Sequence, residues 1–293
     1  MKKSIIVSFI VLALSAVGMS AQMKIAFGLE SPEFALAPVS TDKYQTLDTC
    51  YLTVSYTFRS KSGERDDSLT RENLMELQMG NAYNAFFNRD LRDLDISNTK
   101  EMKEKMVFSF IPSGYIGWDI LKDNKANKET ITNRLPFSEQ VIEYEEIVPE
   151  LTFRPTEETD SVMGYFCKSA VCDYGGRSWK VYYTEEIPLP YGPWKLNGAD
   201  GLILKALDTE NNFVFEAVGL TQQQQPVIRY SWNRKSMDKD EWARFEEDMY
   251  RNAGVFVRGS GAIVLIMDDS EKGSHRLKKT GQNTIILLNG NRS

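Results

Sequence analysis

The sequence predicts a mainly β protein, built as a single curved antiparallel sheet or half-open barrel with one late amphipathic helix. Three observations predict it. Period-two alternation recurs along the chain, as where Leu52, Val54, Tyr56 and Phe58 alternate with Thr53, Ser55 and Thr57, the pattern of a half-buried strand. Turn residues such as Gly175-Gly176 interrupt these runs at short intervals. Helical spacing of apolar residues is clear in one late stretch only, residues 238–251.

Taken in order, residues 52–58 form a strand and 60–68 a polar turn or loop. Residues 74–79 fit strand or helix, and 82–87, after Gly80-Asn81, read as a helical turn. The charged stretch 90–104 is a solvated helix or loop. A strand at 107–111 stops at Pro112, and 123–130 is turn-like. Short strands follow at 141–144 and 150–153, then a turn at 155–160 and a longer β stretch over 162–174. Gly175-Gly176 makes a hairpin turn and 177–184 returns. Strands at 201–207, 213–218 and 227–232 come next, the last two joined by the solvated run Gln222 to Gln225.

The helix over 238–251 has Ser236 or Asp238 as its cap and acidic residues in its first turns, which suits the helix dipole. Trp242, Phe245 and Met249 sit three and four apart and form one apolar stripe, and Asn252-Ala253-Gly254 ends the helix. Strands at 262–267 and 284–288 flank a charged loop. No linker or sustained repeat divides the chain. Many strands, short turns and one helix fit a sheet that curls around its own core.

The first residues read as a signal peptide. Lys2 and Lys3 precede an apolar run over 5–17, and Gly18-Met19-Ser20-Ala21 offers small residues for cleavage after Ala21. The apolar run is shorter than the roughly 20 residues of a spanning helix. No Cys follows it to carry a lipid. The expected organisation is a signal peptide over 1–21 and one β-rich domain over 22–293, exported to the periplasm or secreted, with no transmembrane segment in the mature chain. Losing Lys2 and Lys3 takes the formal charge of −6 to −8. Such a chain lacks the basic stripe that a phosphate backbone requires, so no nucleic-acid partner is expected.

Catalytic templates are missing. His275 is the single histidine and lies in a charged loop, so no two-His metal site and no HExxH pattern can form. No GxSxG, GxGxxG or P-loop occurs. The expectation is no catalytic residue set, no metal and no cofactor. Pairs of carboxylates stay open, because their spacing in space is not written in the sequence. The cysteines are Cys50, Cys167 and Cys172. Cys167 and Cys172 lie five apart in one extended stretch, beyond disulfide reach and on opposite faces. All three are expected as small buried thiols.

The densest motif region spans 164–208. Gly164-Tyr165-Phe166-Cys167 with Ala170 is followed by Gly176-Arg177, Trp179, Tyr183 and Glu186-Ile187-Pro188. Gly192-Pro193-Trp194-Lys195-Leu196 and Gly198-Ala199-Asp200-Gly201-Leu202-Ile203-Leu204 complete it. This block resembles the GLPGLI family, secreted proteins of Bacteroidota whose function is unknown. Where that signature has Leu-Pro between its glycines, this chain has Ala199-Asp200. The resemblance supplies no activity and no active-site residues. It marks Cys167, Gly192, Pro193, Gly198, Gly201, Leu202 and Ile203 as structural positions, since Gly and Pro chiefly mark backbone demands.

Within the block, Arg177, Trp179, Glu186 and Trp194 are the candidate binding residues. Arg177 and Glu186 flank one strand and stand either as contacts for a polar ligand or as ordinary surface charges. The two tryptophans belong either to the core or to the lining of an apolar groove. The leading expectation is a non-enzymatic binding or carrier protein of the cell envelope. Its apolar ligand would lie in a groove on the concave face, partly closed by the 238–251 helix. The alternatives are an interaction protein that docks onto an outer-membrane partner through a sheet edge, and a carboxylate-based hydrolase.

Overall fold

Thirteen strands hydrogen-bond into one open sheet in the computed structural model, which describes residues 35–60, 72–106, 109, 111, 114–252 and 255–256. The expected signal peptide, the strands at 262–267 and 284–288, most of that at 107–111, and His275 lie outside the described residues. In chain order the elements are β1 (Tyr44–Ser60), β2 (Asn73–Gly80), β3 (Tyr83–Asn88), α1 (Arg89–Lys105), β4 (Trp118–Asp123), β5 (Lys128–Arg134) and β6 (Gln140–Ile147). There follow β7 (Arg154–Val162), β8 (Tyr165–Tyr174), β9 (Arg177–Thr184), β10 (Leu202–Asp208), β11 (Phe213–Thr221), β12 (Gln225–Tyr230), β13 (Asn233–Ser236) and α2 (Lys239–Arg251).

Across the sheet the order is β13-β6-β5-β4-β3-β2-β1-β11-β10-β9-β8-β7. The long β1 organises it. On one edge it pairs with β2, and on the other with β12 along its first half and β11 along its second. Neighbours are antiparallel except β13, which runs parallel to β6. The β12–β13 segment therefore spans from β1 across to β6 as a strap.

The sheet curls, and side chains show how far. Phe86 of β3 and Phe215 of β11 are three strand spacings apart, about 14 Å on a flat sheet. Their rings meet at 6.1 Å. Leu52, Val54, Tyr56 and Phe58 of β1 are buried in one core with Trp179, Val181 and Tyr183 of β9 and Phe215 and Ala217 of β11. The buried Tyr56 hydroxyl donates to the Ile203 carbonyl at 2.8 Å, closing the curl with a satisfied polar group. The apolar strand faces cover one another, and the 187–201 segment fills the remainder through Leu196 and Ala199. α2 covers only the β6 end, where Trp242 packs with Leu135 and Ile142. The expected apolar groove under α2 is thus occupied by the protein's own side chains.

Several local expectations change. Strand β3 (Tyr83–Asn88) stands where 82–87 was read as a helical turn. Phe86 joins the main core while Ala85 and Phe87 join a second cluster with Cys50 and Val227, so both faces are buried and the alternation disappears. The 155–160 turn is part of edge strand β7. The 150–153 strand is irregular, although Leu151 and Phe153 pack on the core. Residues 90–104, read as a solvated helix or loop, are helical, so the described residues hold α1 as well as the late helix. Asn88 caps α1 by accepting from the Leu91 N–H, and α1 buries Leu91, Asp95 and Asn98. Cys167 and Cys172 share the main core despite their odd spacing. The ladder slips between Thr156 and Thr159 of β7, opposite Ser169 and Lys168, where the facing changes. All three cysteines are buried free thiols.

β7 ends the sheet as Arg-Pro-Thr-Glu-Glu-Thr-Asp-Ser-Val, charged, bulged and carrying Pro155. These are the devices that blunt an edge against further strands, so this edge gives no support to docking by strand addition. No helix among the described residues is long and apolar enough to cross a membrane.

Candidate functional site

The candidate binding residues divide into two places. Arg177 begins β9 and Glu186 lies past its end, so they stand about 30 Å apart at roughly 3.3 Å per residue. Arg177 donates to Asp208 at 2.9 Å and lies over the Phe213 ring. Asp208 is buried and also accepts from the Asn212 and Phe213 N–H groups, so this cluster fastens the β10–β11 turn. Glu186 accepts from the Phe166 N–H at 3.3 Å. Trp179 is buried and its indole N–H donates to the Tyr174 carbonyl. Trp194, half-buried with φ 56°, rests between Tyr174 and Trp179 at ring separations of 5.2 and 5.4 Å. Trp194 seats the 187–201 segment on Trp179 of β9.

The signature positions have steric explanations. A Cβ on Gly192 would lie 2.4 Å from the Leu196 carbonyl and 2.8 Å from the Ile203 Cβ. On Gly201 it would lie 2.1 Å from the Thr184 carbonyl. Pro193 is buried beside Gly192, and Gly198 has φ +104°. Leu202, Ile203 and Cys167 are core residues.

Beneath this segment runs a charged row that sequence reasoning missed. Cross-strand register sets Asn84 opposite Lys122, Lys122 opposite Glu129, and Glu129 opposite Glu146. Lys195, from the Gly-Pro-Trp-Lys-Leu motif, is buried and ion-paired with Glu146, and the exposed Lys239 of α2 pairs with the same carboxylate at 2.5 Å. Burial pushes Glu146 upward, but the two ammonium groups outweigh this and hold it below its ordinary value. Glu129 is 1% exposed and its Oε2 has no hydrogen-bond partner. Burial pushes its carboxyl up to about 7. Lys122 is lowered by burial against the pull of Glu129 and lies 5.1 Å from the Tyr191 ring.

A second polar site lies on the other face of β3–β6, between α1 and the β12–β13 strap. Asp119, Thr132 and Glu143 stand in one cross-strand row. Glu143 accepts from Arg229 at 2.8 Å, Arg234 at 2.6 Å and the Thr132 hydroxyl at 3.0 Å. Deeper in, Arg134 grips Asp95 at 2.7 Å, both side chains 3% exposed. Arg92 reaches in from α1, its guanidinium 3.1 Å from the Phe87 ring centroid and 3.7 Å from the Asp119 carboxylate. Burial raises Asp119 despite Arg92 and Arg134, and burial lowers Arg92. Trp232 stacks on Tyr230 at 5.3 Å and donates to the Ser40 carbonyl, capping the chamber.

These residues line two adjoining, partly open cavities of about 30 and 10 Å³ that share Arg92, Asp119, Thr132 and Trp232. The chamber carries fixed dipoles and charges around a small polar space. It suits recognition of a compact polar group. Among the described residues no group of three or more His, Cys, Asp or Glu could hold a metal ion. The chamber was illegible beforehand because its members come from α1, β4, β5, β6, β12 and β13, with no local motif among them.

No family model matches the chain, and no curated protein does. Two solved structures of PNGF-II, in space groups P21 and C2, have a TM-score of 0.45. They are 18% and 17% identical, over 70% of this chain and 34% and 33% of theirs. The chain thus spans about a third of the PNGF-II chains it matches.

Proposed function

We propose that this chain is an exported, non-enzymatic binding protein of the cell envelope, a GLPGLI relative that takes a small polar ligand in the chamber between α1 and the β12–β13 strap. One observation carries the reading: polar side chains from six elements converge on a small, partly open space whose walls are already fixed by ion pairs. Walls held in place beforehand lower the ordering cost of binding. The leader-like residues 1–21 support export. The apolar-carrier form of the reading loses its basis, because the apolar faces pack on one another.

A second reading has its own observation. Glu129 combines a raised carboxyl with a neighbouring Glu146 and Lys195, a combination found at acid–base sites. It lies 1% exposed beneath the 187–201 segment, so substrate would reach it only if that segment lifted.

Native mass spectrometry of the protein purified from its own host's envelope tests the first reading. The expected species begins at residue 22 and retains a small polar molecule. A chain that begins at Met1 in the envelope fraction would remove export. A ligand-free chain whose chamber residues do not respond to any added polar solute would remove binding.

A further inference from the structure

We infer that the chamber is an oxyanion site, in which the Arg92 guanidinium takes the carboxylate or phosphate group of a small molecule. The inference rests on the binding reading above and adds the ligand's chemical class.

Charge balance comes first. The two adjoining cavities are lined by Arg92, Arg134, Arg229 and Arg234 against Asp95, Asp119 and Glu143. Four guanidinium groups against three carboxylates leave one positive charge in excess. A guanidinium does not lose its proton in proteins, so the excess persists at every physiological pH. Arg229 is 42% exposed and largely solvated, but Arg92 is little exposed, and a charge so placed is costly unless paired. One added anion would balance the chamber.

The arginines are not equivalent. Arg134 holds Asp95 with two nitrogens and the Ala37 carbonyl with one. Arg229 and Arg234 share Glu143 and thereby fasten the strap to β6. Arg92 differs, because its carboxylate neighbour Asp119 lies at 3.7 Å, longer than a hydrogen bond. The guanidinium lies over Phe87, with its centre 5.6 Å from the Tyr230 ring. An aromatic platform fixes the plane of the fork, whose N–H edge is what a carboxylate or phosphate accepts from bidentately. Thr132, beside Asp119 in the row, lines both cavities, but its one hydroxyl proton is given to Glu143, so the donors to an anion come from Arg92.

Size sets the rest. A space of about 30 Å³ holds a water or two, or a compact ionic head group. Drug-sized ligands occupy roughly 300–1,000 Å³. The chamber therefore takes one end of a molecule or a small free anion, and an acyl chain has no room.

The test uses the folded mature chain, with arginine Nε–Hε resonances followed by NMR at constant ionic strength. The probes are sodium phosphate, sodium acetate and acetamide, the last a neutral isostere of acetate. The expected result is saturable movement of the Arg92 signal with phosphate or acetate, at a dissociation constant on the order of 1 mM, and none with acetamide. Which of the two anions binds more tightly separates phosphate from carboxylate recognition. Arg92→Met should lose binding at least tenfold. Arg92→Lys keeps the charge but not the fork, and should retain part of it. Lys168→Met, on the outer face, should bind as the parent does. If acetamide moves the Arg92 signal as acetate does, the chamber binds but the anionic class is wrong. If no probe moves it up to about 50 mM, fifty times the expected constant, the inference is overturned, whether or not the variants fold.

Discussion

Glu129 and Glu146 are direct cross-strand partners on β5 and β6, two carboxylates side by side beneath the 187–201 segment. Like charges in that position repel. Lys195 and Lys239 both bind Glu146, while Glu129 Oε2 has no hydrogen-bond partner. The pair thus divides its roles: Glu146 is held ionised, and Glu129 is buried with its carboxyl raised to about 7.

A pH dependence follows from Glu129. Its folded value of about 7 lies above the ordinary 4.5, so the folded chain binds the proton more tightly than the unfolded chain. Stability must then fall as pH rises from 4.5 through 7, and it stays reduced above that. The full effect is up to about 3 kcal/mol. Other carboxylates titrate in the same range, so the difference between parent and Glu129→Gln isolates it. Glu129→Gln should be the more stable protein at pH 8, with the advantage shrinking toward pH 5. Urea unfolding at several pH values checks this, and a pH-independent difference would show that Glu129 titrates normally.

Gly192 and Gly201 should tolerate no side chain. The added carbon would approach backbone carbonyls at 2.4 and 2.1 Å, and neither contact is with a flexible side-chain tip. Gly192→Val and Gly201→Ala should each cost at least about 1–3 kcal/mol, the usual range for overpacking. Thermal unfolding measures it. Normal melting of both variants would mean that the 187–201 segment is not seated as described.

Strands such as β9 were legible because one face is solvated, whereas β2, buried on both faces, fitted strand or helix. Trp179, Val181 and Tyr183 are buried while Ser178, Lys180 and Tyr182 are not, so the alternation survives in the sequence. β3 was missed because both its faces are covered, and β7 because most of both are open to water. In neither case does burial alternate with polarity. α1 was ambiguous because the residues it buries at helical spacing are Leu91, Asp95 and Asn98, two of them polar. That stripe is a hydrogen-bonding face, which a search for apolar periodicity passes over.

The candidate site was less legible than the fold. Trp179, Trp194, Gly192 and Gly201 stood out through their residue types and serve packing. Arg92, Glu129, Glu143 and Arg234 look like ordinary surface charges in sequence. Only the curl of the sheet and the crossing of the strap bring them under cover. Lys195 was visible within the signature, but its partner Glu146 lies 49 residues away.

The apolar stripe on α2 was read correctly and gives a stability prediction. Trp242 is 6% exposed and packs with Leu135 and Ile142, while its ring lies 5.8 Å from that of Phe245. Trp242→Ala should cost about 3–5 kcal/mol. α2 also supplies Lys239 to Glu146, so detaching the helix should disturb the charged row. Unfolding of the variant should show a lower urea midpoint, and a loss below about 0.5 kcal/mol, the range of ordinary surface substitutions, would place the stripe outside the core.

The last prediction concerns Asp95 and Arg134, which tie α1 to β5 and to the segment entering the sheet. Both side chains are 3% exposed. Asp95 accepts from Arg134 at 2.7 and 3.3 Å and from the Val39 N–H at 2.9 Å. Arg134 in turn donates to the Ala37 carbonyl, while its Nε has no partner. Removing one member strands the other charge in a medium that cannot solvate it, so Asp95→Leu should cost about 3–5 kcal/mol. Arg134→Met should cost a similar amount by leaving the carboxylate unpaired. The pair itself is worth much less than either loss, because both ions were desolvated to form it. Asp95→Leu combined with Arg134→Met should therefore be more stable than either single variant, short of the parent only by the lost bonds to Val39 and Ala37. Urea unfolding of the four proteins closes the cycle. Additive losses, with the double variant the least stable, would show that each residue acts through its own backbone contacts and that the ion pair does not join α1 to the sheet.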